Sequence, residues 1–275
     1  MSVYGENWIV SNVGAELKPT SKDGDGQLLL VPKGGDLKSA QTIGASTTLH
    51  APKGTLVIGD TLYVVDIDTL HSFDLKTRQH QQAIKPHEYL PERAAPQFLN
   101  AIAQGDNGNL YVSATDTSDI YIIHPGEQVR VGTLALNTPL KGPNGLVWDK
   151  QQQRLYVAEW GTDNQPNGRL GYIEMKGEPP YDFTVLGEHT GYLDGLQKVG
   201  EHLYFSDWVA FEKAGKVHRY HLEAHEQTSL NSDPIAGPAN FQVSADGSEL
   251  IVPNMLGNQL STIPLAPLST DIQAE

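Results

Sequence analysis

One apolar triplet recurs six times along the chain, and this repeat limits the possible folds more than any other feature. In most copies the triplet ends two residues before a small polar or acidic residue. The middle residues of successive triplets are 54, 48, 45, 48 and 47 positions apart. A period of this size is typical of β-propeller blades, each of which is a small antiparallel sheet. The triplets are Trp8–Val10, Leu62–Val64, Leu110–Val112, Leu155–Val157, Leu203–Phe205 and Leu250–Val252.

The segments around each triplet predict further strands. From the second copy onward a shorter segment precedes the triplet, and turn signals such as Asp106-Asn107-Gly108 separate the two, which suits a hairpin. After most triplets comes another alternating run, for example 216–220 or 258–263, which we interpret as a third strand. The triplets are therefore expected to form the buried second strands of their blades.

The predicted fold is all-β: one six-bladed β-propeller, with almost no stretch of helical periodicity. The expected blades are 1–50, 51–95, 96–140, 141–190, 191–236 and 237–275, and the stretch 85–96 is expected to be an inter-blade loop. We expect three firm strands in the last blade, with the tail 264–275 adding at most a short fourth strand. A β-sandwich with irregular hairpins is the alternative.

The charge and the composition exclude several classes of partner. Nineteen Lys and Arg against 33 Asp and Glu give a net charge of −14, which disfavours nucleic-acid binding. The longest aliphatic run, Leu28–Val31, is far shorter than a membrane span. Without cysteine there is no disulfide, thiol nucleophile or thiolate zinc site, and the compartment stays open. We expect a monomer that binds a small molecule.

Polar residues at the predicted start of the innermost strands are the first candidates for a site. In a propeller these starts surround the axis, so the residues there form a ring at the channel mouth. Side-chain oxygens of Asn and Asp suit Ca²⁺, which takes six to eight oxygen ligands. Capping of tight turns is the structural alternative for each residue. The inner ring is Lys53, Asn100, Asn144, Asp194 and Asn240, and an outer ring at the same rim is Asn12, Asp66, Glu159, Asp207 and Asn254.

The sequence resembles the family of regucalcin, gluconolactonase and the luciferin-regenerating enzyme, which are six-bladed propellers. The resemblance rests on four segments, each before a triplet: Phe98-Leu99-Asn100, Gly142-Pro143-Asn144-Gly145-Leu146, Leu193-Asp194-Gly195-Leu196 and Gly237-Pro238-Ala239-Asn240-Phe241. It implies a divalent cation on the axis and hydrolysis of a lactone or ester. Asn144 and Asp194 match two of the family's metal ligands, and Asn100 matches a position that contacts substrate or metal.

The resemblance implies a set of roles for individual residues. Asp194 is the candidate catalytic base and a metal ligand, Ca²⁺ being the expected ion, with Asn144, Asn100 and Asn240 as the other metal ligands. Asn100, Lys53 and Phe98 are the expected substrate contacts. The chain departs from the family in that Phe98 replaces a common Arg, Asn240 a common Asp, and the first-blade Glu would fall near Met1.

Other motifs give less support to alternative chemistry. His221 and His225 flank Glu223, but the alternating pattern around them predicts a strand, not a zinc-binding helix. The ten histidines show no cluster in the sequence and are expected on the surface or in the core. No nucleophile elbow, phosphate-binding loop or dinucleotide fingerprint is present. Two functions remain open: a metal-dependent hydrolase of small lactones or esters, and a non-catalytic propeller that binds a ligand or a protein at its mouth.

Overall fold

A computed structural model describes residues 1–34, 37–211, 213–244 and 246–265, and within these residues it contains six antiparallel sheets. Each sheet is a blade, and the protein is a six-bladed β-propeller, as its repeat predicted. Blades one to three contain β1 (Ser2–Tyr4), β2 (Asn7–Asn12), β3 (Gln27–Pro32), β4 (Gln41–Ile43); β5 (Pro52–Ile58), β6 (Thr61–Asp66), β7 (Thr69–Asp74), β8 (His80–Ile84); and β9 (Leu99–Gln104), β10 (Leu110–Ala114), β11 (Asp119–His124), β12 (Arg130–Thr133).

The other three blades repeat the pattern. They contain β13 (Pro143–Asp149), β14 (Arg154–Glu159), β15 (Gly168–Glu174), β16 (Phe183–Gly191); β17 (Leu193–Val199), β18 (His202–Asp207), β19 (Lys216–His221), β20 (Glu226–Ser229); and β21 (Gln242–Val243), β22 (Glu249–Asn254), β23 (Gln259–Pro264). The six triplets lie in β2, β6, β10, β14, β18 and β22, the second strand of each blade. The prediction for the triplets is therefore confirmed.

The hydrophobic core is divided into layers between successive blades. Side chains of blades one and two form one cluster, and four more clusters lie between blades two and three, three and four, four and five, and five and six. The triplets supply the centre of these layers: Leu155, Leu203 and Leu250, for example, are fully or almost fully buried. Successive residues of a strand point to opposite faces, so an apolar triplet is apolar on both faces of its blade. This suits a blade that is covered by a neighbour on either side.

In the described part of the chain, helical structure is confined to short turns. The stretch 85–96, expected to be a loop, contains one helical turn, α1 (Pro86–Tyr89), which Pro86 begins. Single 3₁₀ turns lie at Leu37–Ser39 and Asp106–Gly108. Among the described residues no helix has the length and apolar character needed to cross a membrane.

The sixth blade has three strands within the described residues, as expected from its sequence. Its last strand, β23, ends at Pro264. Residues 266–275, which we expected to add at most a loose fourth strand, lie outside the described part of the chain.

Candidate functional site

The predicted inner ring coincides with β-bulges in four consecutive blades. In each of these blades two residues of the innermost strand face one residue of the second strand. The bulge directly follows a regular pair, which is Pro52/Asp66, Leu99/Ala114, Pro143/Glu159 or Leu193/Asp207. A bulge changes the direction of a side chain and often lies next to a functional site. The bulged pairs are Lys53-Gly54, Asn100-Ala101, Asn144-Gly145 and Asp194-Gly195.

Serine hydroxyls bind the amides that two of these bulges release. Ser206 Oγ accepts from the Gly195 amide at 2.7 Å. Ser113 Oγ accepts from the Ala101 amide at 2.9 Å and donates to the Asn144 carbonyl of the next blade at 2.7 Å. These serines precede the ends of β10 and β18, so the second strands hold the bulges in place.

The second residue of each bulge is small because the next blade approaches its backbone. A Cβ atom on Gly145 would lie 2.4 Å from the carbonyl oxygen of Asp194, and one on Gly54 would lie 2.3 Å from that of Asn100. Gly195 is equally restricted by Asn240, whose Cα would lie 2.8 Å away. The pattern of a polar residue followed by glycine thus records the contact between adjacent innermost strands.

Replacement of Gly145 by alanine should therefore destabilise the propeller. Because the contact is with backbone, Gly145→Ala requires the two inner strands to separate, at a cost of about 1–3 kcal/mol. This corresponds to a drop of roughly 2–4 °C in the melting temperature per kcal/mol, measurable by circular dichroism. Gly132→Ala is the control, since a Cβ at Gly132 meets nothing within 4 Å. Equal melting temperatures of the two variants would contradict the close approach.

Asp194 is buried at the ring, with 8% of its surface exposed. Its Oδ2 accepts a hydrogen bond from Trp208 Nε1 at 3.0 Å. Burial raises the pKa of Asp194 to about 7, although the Trp208 hydrogen bond and the charge of the Met1 amino group lower it. Met1 belongs to blade one and Asp194 to blade five, so their electrostatic interaction indicates that the inner strand ends converge on the axis.

Lys53 and Phe98, both predicted substrate contacts, lie against each other. Lys53 Nζ is 4.7 Å from the centre of the Phe98 ring and donates to the Ala51 carbonyl at 3.0 Å. Burial lowers the pKa of Lys53 to about 8, and the carboxylates of Asp66 and Asp116 oppose this shift. The ammonium group of Lys53 is thus a half-buried cation at the inner ring of strand starts.

The other ring residues differ in their environments. Asn144 is buried, and its side chain makes no hydrogen bond to any part of the chain that the structure describes. Asn240 Oδ1 is buried and also has no hydrogen-bond partner among the described residues. Asn100 is half-buried, with its backbone against Gly54. Unsatisfied amide groups at a ring of strand starts are available to a ligand.

Two carboxylates of the outer ring, those of Asp66 and Glu159, hold backbone amides. Asp66 accepts from the amides of His50 and Ala51, both at 2.7 Å. Glu159 accepts from the Lys141 amide at 2.7 Å and from the Arg169 guanidinium. In both cases the carboxylate fixes the segment that leads into the innermost strand of its own blade, which is the structural role that turn capping would give it.

Four aromatic side chains form a cluster beside Asp194 that the sequence analysis did not identify. Their ring centres are 5.1–6.1 Å apart in the contacting pairs, and Trp208 is the residue that binds Asp194. Phe211 is 62% exposed. We call this group the aromatic cluster; its members are Trp160, Tyr192, Trp208 and Phe211. Trp160 and Trp208 directly follow β14 and β18, so the same repeat position is aromatic in two successive blades.

Six of the ten histidines form three pairs, which corrects the expectation that they do not cluster. His71 Nδ1 lies 3.1 Å from His80 Nε2, and the rings of His202 and His221 are 4.7 Å apart. The rings of His189 and His218 are 4.8 Å apart, with Asp207 beside them. Their partners come from different strands, so sequence spacing does not reveal the pairs.

A cleft of about 320 Å³ lies away from the ring, between blades four and five. Arg154 lines it, stacked 4.3 Å from the centre of the Tyr172 ring and bound to Gln152. These side chains are engaged with one another, so we place the candidate site at the ring and the aromatic cluster.

No family model and no curated protein matches the sequence, so the family resemblance stays an interpretation of its motifs. Solved structures do match the fold. These include a nidogen/laminin complex (16% identity, TM-score 0.59, 87% of this chain and 90% of that chain) and virginiamycin B lyase from Staphylococcus aureus (15%, 0.59, 87% and 74%). A putative 6-phosphogluconolactonase from Bacteroides uniformis ATCC 8492 matches with 13% identity and a TM-score of 0.62, over 96% of this chain and 80% of that chain. At such identities the likeness shows the β-propeller fold alone.

Proposed function

We propose that this protein binds a small molecule at the ring and hydrolyses a lactone or ester bond in it, with Asp194 as the base. The observation that carries the proposal is the position of Asp194: a buried carboxyl group on the ring, bound to Trp208 of the aromatic cluster. A general base works best when its pKa is close to the operating pH, and burial raises the pKa of Asp194 to about 7.

The groups around Asp194 suggest the character of the substrate. The aromatic cluster offers flat apolar surface, and Phe211 leaves part of that surface exposed. Lys53 adds a cation at the ring, which would stabilise negative charge on a carbonyl oxygen or bind an acidic substituent. A small ester or lactone with an apolar ring and an acidic or polar end would match both features.

Two of the structural neighbours carry enzyme names. One is a putative 6-phosphogluconolactonase and another is virginiamycin B lyase. These names support the expectation that a propeller of this shape has a catalytic site. The name lactonase also agrees with the hydrolysis of a lactone that the motifs of this chain imply.

The oxygen atoms of the ring fit a hard cation such as Ca²⁺. Asn144, Asp194, Asn100 and Asn240 would hold it, and the buried, unpartnered Oδ1 of Asn240 is the kind of atom a cation satisfies. Bound there, the ion would polarise the substrate carbonyl. Since only Asp194 carries a negative charge, we expect weak affinity, on the order of 10⁻⁴–10⁻³ M.

A non-catalytic binding protein is the second candidate, and the exposure of apolar side chains next to the ring favours it. Phe211 and Val209 are 62% and 42% exposed in the segment that follows Trp208. Exposed apolar residues beside a polar ring are also found where a propeller binds a partner.

Hydrolysis of a panel of lactones and aryl esters, with Ca²⁺ or with EDTA, tests the enzyme hypothesis. We expect turnover by the wild type and a loss of about 10²–10⁴-fold in kcat for Asp194→Asn, because the general base is removed. The control is Asp149→Asn. Asp149 is as buried as Asp194, but it lies at the end of β13 opposite to the ring residue Asn144. The kcat of Asp149→Asn should therefore stay close to that of the wild type.

Quenching of Trp160 and Trp208 fluorescence measures binding independently of turnover. Compounds that quench without being hydrolysed by the wild type would support the non-catalytic alternative. Equal kcat of the wild type and Asp194→Asn would overturn the role of Asp194.

A further inference from the structure

Two histidines and an aspartate meet between blades four and five, outside the ring. His189 lies on β16, the outer strand of blade four, while Asp207 ends β18 and His218 lies on β19 of blade five. One nitrogen of each ring and one carboxylate oxygen lie within 4.8 Å of one another. The closest pair, His189 Nε2 and Asp207 Oδ2, is 2.9 Å apart.

His218 has a buried nitrogen that no described residue satisfies. The side chain is nine-tenths buried, and its Nε2 has no hydrogen-bond partner in the part of the chain that the structure describes. A buried polar atom without a partner needs an explanation, such as an ion. His218 belongs to the same group as His189 and Asp207, so an ion shared with these two residues would satisfy its unpartnered nitrogen.

Gln227 connects the two rings on their other side. Its side-chain amide lies 3.2 Å from His189 Nδ1 and 3.3 Å from His218 Nδ1. The oxygen and nitrogen of a glutamine amide are interchangeable by a flip, so the oxygen can accept hydrogen bonds from the N–H groups of both Nδ1 atoms. With both protons on Nδ1, the two Nε2 lone pairs are available to an ion, which would replace the hydrogen bond between His189 Nε2 and Asp207 Oδ2.

We propose that His189, Asp207 and His218 bind a late first-row divalent metal ion, Zn²⁺ foremost, with water in the fourth position. Imidazole nitrogens select such ions over Ca²⁺, so this site is chemically distinct from the ring. Zinc bonds of about 2.0–2.2 Å bring ligand atoms roughly 3.3–3.6 Å apart, which requires shifts of about 1 Å from the present separations. His189 remains 24% exposed in its side chain, which leaves a path for the ion.

The site would connect two blades and support the aromatic cluster. Asp207 Oδ1 accepts hydrogen bonds from the amides of Tyr192, at 3.1 Å, and Val209, at 2.8 Å. Tyr192 belongs to the aromatic cluster, and Val209 directly follows Trp208 of that cluster. An ion on Oδ2 would thus hold the outer strand of blade four, the end of β18 and this segment together.

Binding of Zn²⁺ to protein stripped with EDTA is the test, by calorimetry and by competition with a chromophoric chelator. We expect one ion per chain at micromolar or tighter affinity, no comparable binding of Ca²⁺, and a melting temperature that rises by several degrees at saturation. Co²⁺ should give the visible spectrum of a tetrahedral site with nitrogen ligands. Absence of stoichiometric binding to the wild type would overturn the proposal.

His189→Gln is the variant of choice, because this side chain is only partly buried and glutamine keeps a polar group at the same place. We expect at least a 100-fold loss of Zn²⁺ affinity. His221→Gln is the matched control: His221 also pairs with a histidine, His202, but no carboxylate joins that pair in the described residues. Unchanged affinity in His189→Gln, or an equal loss in His221→Gln, would show that Zn²⁺ binds elsewhere.

Discussion

Asp194→Asn should make the protein more stable than the wild type at pH 8 and leave it similar at pH 4. The folded-state pKa of Asp194 is about 7, above the ordinary value of 3.8, because burial disfavours the charged form. A group with a raised pKa contributes stability that is complete below pH 3.8 and is lost as the pH rises through 7. Asparagine stays neutral and keeps an oxygen for Trp208. The full difference approaches about 4 kcal/mol, the equivalent of three pKa units.

Asp149→Asn is the control, and it should have the opposite sign. Burial opposes ionisation of Asp149 as well, but hydrogen bonds from the Gln152 amide and from Lys198 outweigh it, so its pKa lies below the ordinary value. Its charged form therefore stabilises the fold at neutral pH. Both aspartates are 8% exposed, so burial alone does not distinguish them.

Urea unfolding of the three proteins between pH 4 and pH 8.5, in EDTA, measures both effects. Asp194 and the Met1 amino group interact, so the comparison of Asp194→Asn with the wild type measures the titration of Asp194 together with its effect on that amino group, whose pKa burial lowers to about 6. A difference in unfolding free energy that does not change with pH would contradict the raised pKa, because it would mean that Asp194 has the same pKa in the folded and the unfolded protein. When Ca²⁺ replaces EDTA, it should stabilise the wild type but not Asp194→Asn, which lacks the charged ligand of the proposed site.

The sequence repeat was sufficient to predict the blades but not the directions of the ring side chains. Six apolar triplets at nearly equal spacing require six equivalent buried strands, and these strands formed. The bulges at Asn144 and Asp194 depend on pairing between strands, in which two residues face one. The sequence of a single strand indicates such a bulge only by the glycine that follows Asn144 and Asp194.

The aromatic cluster and the histidine cluster depend on contacts between loops and outer strands. Trp160 and Trp208 share a repeat position, which was a usable signal. Tyr192 and Phe211 lie outside the repeated strands, so their approach to the tryptophans follows from loop geometry. His189 lies on the fourth strand of blade four and His218 on the third strand of blade five, and their contact depends on how two twisted sheets pack.

Glu159→Ala should destabilise the protein by about 3–5 kcal/mol, more than any other single change of an ion pair considered for this chain. Glu159 is fully buried, and both of its oxygens bind Arg169, at 2.7 Å to Nε and 3.0 Å to Nη2. Removal of the carboxylate leaves a largely buried guanidinium and the Lys141 amide without their acceptor. An unpaired buried charge costs far more than the loss of an exposed pair.

The matched control is Glu174→Ala, which removes a carboxylate from the same blade. Glu174 pairs with Arg154 and Lys176 but is 40% exposed, so we expect a change of about 0–1 kcal/mol. Chemical unfolding of both variants measures the contrast. Glu159 also holds Lys141, three residues before Asn144, and its loss should therefore weaken binding at the ring as well. Equal destabilisation by the two variants would show that the pair of Glu159 and Arg169 contributes no more than an exposed ion pair and that the entry to β13 is held by other contacts.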